Sequence, residues 1–214
     1  MQPKLIRLPA LRLAGFICST TTMLGENFTA IPKFWRQYQI DGRMERLQNE
    51  DFVKFHTHYG VCFFEDSASG NFQYLIGLEV KEGAAVPPEY EVRQLPSAAY
   101  AVFSTEPANE EDFFSAIYNT WAYIYGHWLP KSGLHIDGRS CDFELYDDRA
   151  RPETGKVCDV YVPVVCAPGV TTFSGITDEP GTGEHSGAAD YSETVFEKAL
   201  ELAYASPKTT AVNV

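Results

Sequence analysis

Nowhere in the 214 residues does an apolar run approach the roughly 20 residues that a membrane-spanning helix needs. The first 20 residues scatter Lys4, Arg7 and Arg12 through an alternating pattern, unlike the basic head and apolar run of a secretory signal. Basic residues are scarce: 17 Lys and Arg stand against 29 Asp and Glu, a net charge of −12 spread along the chain. No basic patch offers the electrostatic footprint for phosphate, so nucleic acid is not an expected direct partner. The five cysteines, Cys18, Cys62, Cys141, Cys158 and Cys166, are odd in number and include no CxxC pair. They read as reduced core residues of a cytoplasmic protein. Missing too are a Gly-x-Ser-x-Gly elbow and a phosphate-cradling glycine loop. His56 and His58 have no third ligand at metal spacing. No metal and no cofactor are implied.

What the chain does have is apolar and aromatic material: 44% hydrophobic residues, including 14 Phe, 12 Tyr and 3 Trp. Residues 5–19 alternate and read as a strand. Ile31, Phe34, Trp35 and Tyr38 then recur at i, i+3, i+4 and i+7, with Asn27 or Thr29 as N-cap and Pro32 in the first turn, which predicts a helix with an aromatic stripe. Two β-rich runs, 60–65 and 72–80, flank the turn-forming residues 66–71 and suggest a hairpin.

The order then repeats. Residues 90–105 are strand-like, and Asn109 opens a helix whose acidic first turn suits the helix dipole. Phe113, Ile117, Trp121 and Ile124 continue it until Gly126 and Pro130 end it. Strands follow at 141–146 and 157–164. The expected fold is therefore α+β: β-α-β-β written twice, with an antiparallel sheet, two main helices and a central cleft. From Cys166 the texture changes; residues 166–214 hold seven acidic and two basic residues, with only 191–205 patterned for a helix. The expected division is a domain at 1–165 and an acidic tail at 166–214.

Three motifs give this pattern a likeness. Trp128-Leu129-Pro130-Lys131-Ser132-Gly133, then Asp142-Phe143-Glu144-Leu145-Tyr146-Asp147, then Asp159-Val160-Tyr161-Val162-Pro163-Val164 resemble the GyrI-like family. The stretches from Thr20 to Asn27 and from Pro32 to Trp35 add to the likeness, which covers about residues 5–165. That family is the effector-binding domain fused to AraC- and MerR-type regulators, also found alone, and built from a pair of SH2-like motifs. The resemblance implies a stand-alone small-molecule-binding domain without its own DNA-binding segment. It takes lipophilic, drug-like and cationic ligands around a pocket carboxylate that falls on Glu144. A departure is Asp159, where many members carry Glu.

The residues support a pocket of this kind independently. In a strand over 141–146, Asp142, Glu144 and Tyr146 share one face, and Cys141, Phe143 and Leu145 the other. If the first face lines a cleft, a desolvated carboxylate beside aromatic rings attracts cations, because Coulomb and cation–π attraction both strengthen away from water. On a solvated face the same Glu would be an ordinary surface residue. Trp128 and Tyr146, then Trp121, with Tyr125 and Trp35, are the ligand-binding candidates beside Glu144, although aromatics at helical spacing also serve as core. Two other functions follow from the resemblance. Some members hydrolyse reactive cyclopropane-containing compounds, with Glu144 then the catalytic base. The name-giving member engages gyrase, which makes a protein partner the third possibility.

Overall fold

The protein is described as a computed structural model over residues 1–64, 69–152, 154–166 and 177–178. The turn residues 66–68 and the helix expected at 191–205 lie outside the described residues. Strands β1 (Lys4–Leu8) and β2 (Leu11–Thr21) lead into α1 (Asn27–Ile40) and the short α2 (Arg43–Gln48). Strands β3 (Val53–Phe64), β4 (Asn71–Val80), β5 (Glu91–Leu95) and β6 (Ala98–Ser104) follow. Helix α3 (Phe113–Tyr123) continues through a π-helical turn, Ile124–Trp128, into α4 (Leu129–Ser132). The chain closes with β7 (Leu134–Ile136), β8 (Phe143–Tyr146), β9 (Asp159–Cys166) and β10 (Thr177–Asp178).

The sheet runs β10-β1-β6-β9-β8-β3-β4-β2-β5, with β7 added beside β9. All pairs are antiparallel except β1 with β10. The two β-α-β-β units are legible in that order. One contributes β2-β4-β3 and the other β6-β9-β8, and they meet at the β3–β8 pair in the middle of the curled sheet.

The two stretches expected as single strands are each broken by a proline. Pro9 separates β1 from β2 and Pro96 separates β5 from β6. Proline has no N–H to give to a ladder, so pairing stops there and the chain can change neighbours. Each short leading strand then pairs with the other unit: β1 with β6, and β5 with β2. The exchange ties the halves together at both edges.

Helix α1 carries the expected stripe, with Phe34, Trp35 and Tyr38 buried against Tyr74, Ile76 and Leu78 of β4. Pro32 lies in its second turn rather than the first, because a 3-10 turn at Met23–Gly25 precedes Asn27 and the chain enters α1 through it. Helix α3 begins at Phe113, four residues after Asn109. The helical path runs past Gly126 through the π-helical turn into α4, where Pro130 takes one of the first positions, and Gly133 ends the segment in the left-handed conformation (φ 72°).

On the sheet face away from the helices, Phe143 is fully buried and stacks on Tyr161, with centroids 4.4 Å apart and planes 13° from parallel. Val61, Leu75 and Tyr100 complete that core. This burial fixes the register of β8. A slip of one residue would turn Phe143 to the helical face and Glu144 into the core.

Candidate functional site

The β3–β8 junction presents cross-strand pairs to the helical face. Gly60 lies opposite Glu144 and His58 opposite Tyr146, and Cys62 donates its backbone N–H to Asp142 O at 3.3 Å. Above them, α1 and α3 approach through Phe28 and Tyr118, whose rings meet edge to face at 4.9 Å. Between sheet and helices lies a cavity of about 440 Å³. Its volume is that of a small-molecule site. Phe28, Ile31 and Pro32 of α1 form one wall, and Phe114, Tyr118 and Trp121 of α3 another. The floor is Phe64, Phe72, Asp142, Glu144 and Tyr146.

Glu144 is 7% exposed and accepts three hydrogen bonds. The Tyr74 hydroxyl donates to its Oε2 at 2.6 Å, Trp121 Nε1 donates to Oε1 at 2.8 Å, and the Tyr146 hydroxyl donates to Oε2 at 3.4 Å. Behind Tyr74, Trp35 Nε1 donates to the tyrosine oxygen at 3.0 Å. A carboxylate offers about four lone-pair sites, so three donors nearly saturate it. Burial pushes the carboxyl up to about 7, since desolvation disfavours the anion. The Tyr74 and Trp121 hydrogen bonds pull the other way, and the neighbouring Asp142 adds to the rise.

Glycine is required at position 60. A Cβ there would overlap the Tyr74 hydroxyl and come 2.7 Å from Glu144 Oε2. The bare backbone lets the phenol of β4 cross β3 to reach a carboxylate on β8.

The sequence candidates take three kinds of place. Glu144, Tyr146 and Trp121 line the cavity. Trp35 and Tyr125 stand one layer back. Trp35 lies against the Tyr146 ring at 4.6 Å and holds Tyr74, while Tyr125 stacks under Trp121 at 5.9 Å and donates to Asp142 Oδ2 at 2.8 Å. Trp128 is elsewhere, packed edge to face on Phe103 at 4.9 Å in the core between α3 and β9. The π-helical turn moves residues after Ile124 off the stripe that Trp121 begins, so Trp128 no longer shares its face.

Asp159 is also outside the cavity; Ser104 Oγ and Arg149 Nη2 donate to it at 2.6 and 2.5 Å. His58 is buried against the Tyr38 hydroxyl at 3.0 Å, and His56 is exposed. Burial holds His58 down at about 4.

Sequence reading missed Tyr74, Gly60 and the cavity role of Asp142. A signal existed for Tyr74: alternation along β4 places it on the buried face with Phe72 and Ile76, where a phenol must find a partner. Gly60 had none, because its role depends on strand pairing across the chain.

Such a doubled β-α-β-β fold, closing two helices over a buried carboxylate, defines a ligand-binding domain. The chain belongs to the family described as Cass2, integron-associated effector binding protein, whose pattern matches residues 4–164. That is an effector-binding family of the GyrI-like kind, related to the ligand-binding domains of transcription regulators.

The transcriptional regulator BrlR of Pseudomonas aeruginosa is 35% identical over 111 residues, covering 50% of this chain and 37% of BrlR. The chain thus spans little more than a third of that relative. In fold it resembles SAV2435 bound to tetraphenylphosphonium, with TM-score 0.61 and 22% identity over 77% of this chain and 94% of that one. It also resembles an integron cassette protein from the mobile metagenome of Vibrio cholerae, with TM-score 0.53 and 14% identity over 77% and 97% of the two chains. Among the described residues no helix is long and apolar enough to cross a membrane.

Proposed function

We propose that the cavity binds lipophilic aromatic cations and that Glu144 supplies the charge that selects them. The observation that carries this reading is a carboxylate buried among aromatic rings whose oxygens are already hydrogen-bonded by Tyr74, Trp121 and Tyr146. A cation without N–H groups can settle against such a carboxylate without stripping away any donor. Quaternary ammonium and phosphonium ions are of this type, as is the tetraphenylphosphonium held by SAV2435. The Tyr146, Trp121 and Phe72 rings add dispersion and cation–π attraction. As an effector-binding module the domain would report ligand to a partner segment or protein rather than act on nucleic acid itself.

The test is titration of wild type and Glu144→Gln with methyltriphenylphosphonium and with triphenylphosphine oxide, which has nearly the same shape without the charge. The substitution should weaken the cation by roughly 10- to 100-fold, a loss of about 1.4 to 2.8 kcal/mol. The neutral compound should change by less than about threefold. Equal weakening of both would reject the electrostatic role of Glu144.

A hydrolytic reading has one observation in its favour. A carboxyl lifted to about 7 suits a general base at neutral pH, and the fourth acceptor site on Glu144 could take a proton from water. Incubation with a cyclopropane electrophile and mass spectrometry decide it. A hydrolysed product that requires Glu144 supports an enzyme, and unchanged compound supports binding alone.

A further inference from the structure

Glu144 is not the only carboxylate in the cavity. Asp142 lines it as well, two residues earlier along the same extended segment, so both side chains leave the backbone on the helical face. Each is held by one of two stacked rings: Trp121 Nε1 donates to Glu144 Oε1 at 2.8 Å and the Tyr125 hydroxyl to Asp142 Oδ2 at 2.8 Å. Those rings lie 5.9 Å apart with planes 17° from parallel, so the two carboxylates are presented side by side as a built pair. The i, i+2 spacing of an extended chain puts their attachment points roughly 7 Å apart.

We infer that the cavity selects dications, aromatic cations with a second positive charge a short alkyl arm away from the first, and that Asp142 is the specificity-determining residue for that second charge. The inference rests on the cation-binding reading above and extends it. A monocation placed at Glu144 leaves the charge of Asp142 without a counter-ion beside it. A dication neutralises both. A separate feature of the cavity also calls for an occupant: Asn27 Oδ1, in the opposite wall, is buried and has no hydrogen-bond partner among the described residues. A ligand with aromatic amino groups would satisfy it.

Ethidium and propidium separate these contributions. Both carry the same diamino-phenanthridinium ring, and propidium adds one quaternary ammonium on a three-carbon arm. Affinities of wild type, Asp142→Asn and Glu144→Gln for the two dyes, and for tetraphenylphosphonium, are measured at pH 8, where both carboxylates are ionised. Wild type should bind propidium roughly tenfold or more tightly than ethidium. Asp142→Asn should bring the two dyes within about threefold of each other by weakening propidium, with ethidium little changed.

Equal affinity of wild type for both dyes overturns the inference, as does a propidium preference that survives Asp142→Asn. The wild-type comparison stands alone where Asp142→Asn does not fold. If tetraphenylphosphonium binds in a Glu144-dependent way while the dyes are alike or fail to bind, only the dication inference falls. If none of the three cations binds, the cation-binding reading falls with it.

Discussion

At the scale of single residues, the site depends on what is absent at position 60 as much as on what is present at 144. Gly60→Ala adds one methyl group that overlaps the Tyr74 hydroxyl beside Glu144, so the phenol must withdraw and the carboxylate loses its shortest donor. The expected result is a destabilisation of about 1 to 3 kcal/mol, typical of overpacking, with a matching loss of cation affinity. Urea unfolding and ligand titration of the same variant measure both. Unaltered stability and binding would mean that the Tyr74–Glu144 contact is dispensable.

The aromatic candidates separate by the same kind of test. Trp121→Phe removes a donor to Glu144 and should change cation affinity, while Trp128→Ala should cost about 2 kcal/mol of stability and leave the affinity of the folded protein within about threefold. A large loss of ligand binding in Trp128→Ala would move the site away from the cavity described.

At the scale of elements, much of the architecture was legible and its exceptions have local causes. The alternation of Asp142, Glu144 and Tyr146 against Phe143 and Leu145 predicted which face each would take, because a strand has a period of two and Phe143 is anchored in the core. The stripe Phe34, Trp35, Tyr38 likewise marked the buried face of α1.

Strand pairing was not legible. Pro9 and Pro96 mark where the leading strands end, but their exchange between units depends on contacts distant in sequence. The π-helical turn was equally invisible. Trp128 was a candidate beside the motif carboxylate, and the wider turn sets it on a different face from Trp121. Glu144 as the buried centre followed from the motif resemblance. Its donors Tyr74 and Trp121 followed only from the fold, since they come from two other elements, β4 and α3.

At the scale of the whole molecule, the buried carboxyls couple stability to pH with an unusual sign. Glu144 is raised from 4.5 to about 7 and Asp142 from 3.8 to about 6, both chiefly by burial. The folded protein therefore binds more protons than the unfolded chain between those limits. Stability from these groups is full below the ordinary carboxylate values and is lost as pH rises through about 7.

Of the groups shifted the other way, Asp41 and Asp147 are held low by Arg43 and Arg149 and act below that window. His58 acts inside it: burial lowers it from 6.5 to about 4, so it takes back part of the gain as pH falls through 6.5. From pH 8 to pH 5.5 Glu144 should add about 2 kcal/mol to the urea stability of the ligand-free protein, partly offset by His58. Glu144→Gln should remove that contribution, so the stability difference between wild type and variant changes by about 2 kcal/mol across the range. A cation bound as proposed would reverse the preference by stabilising the ionised form.

The most direct test of the central claim is therefore the affinity of wild type and Glu144→Gln for methyltriphenylphosphonium between pH 5 and pH 8, since the ligand itself does not titrate. Wild-type affinity should fall as pH drops through about 7 and Glu144 takes up its proton, and the substitution should remove that step. Wild-type affinity that does not vary with pH, or the same profile in both proteins, would contradict the account.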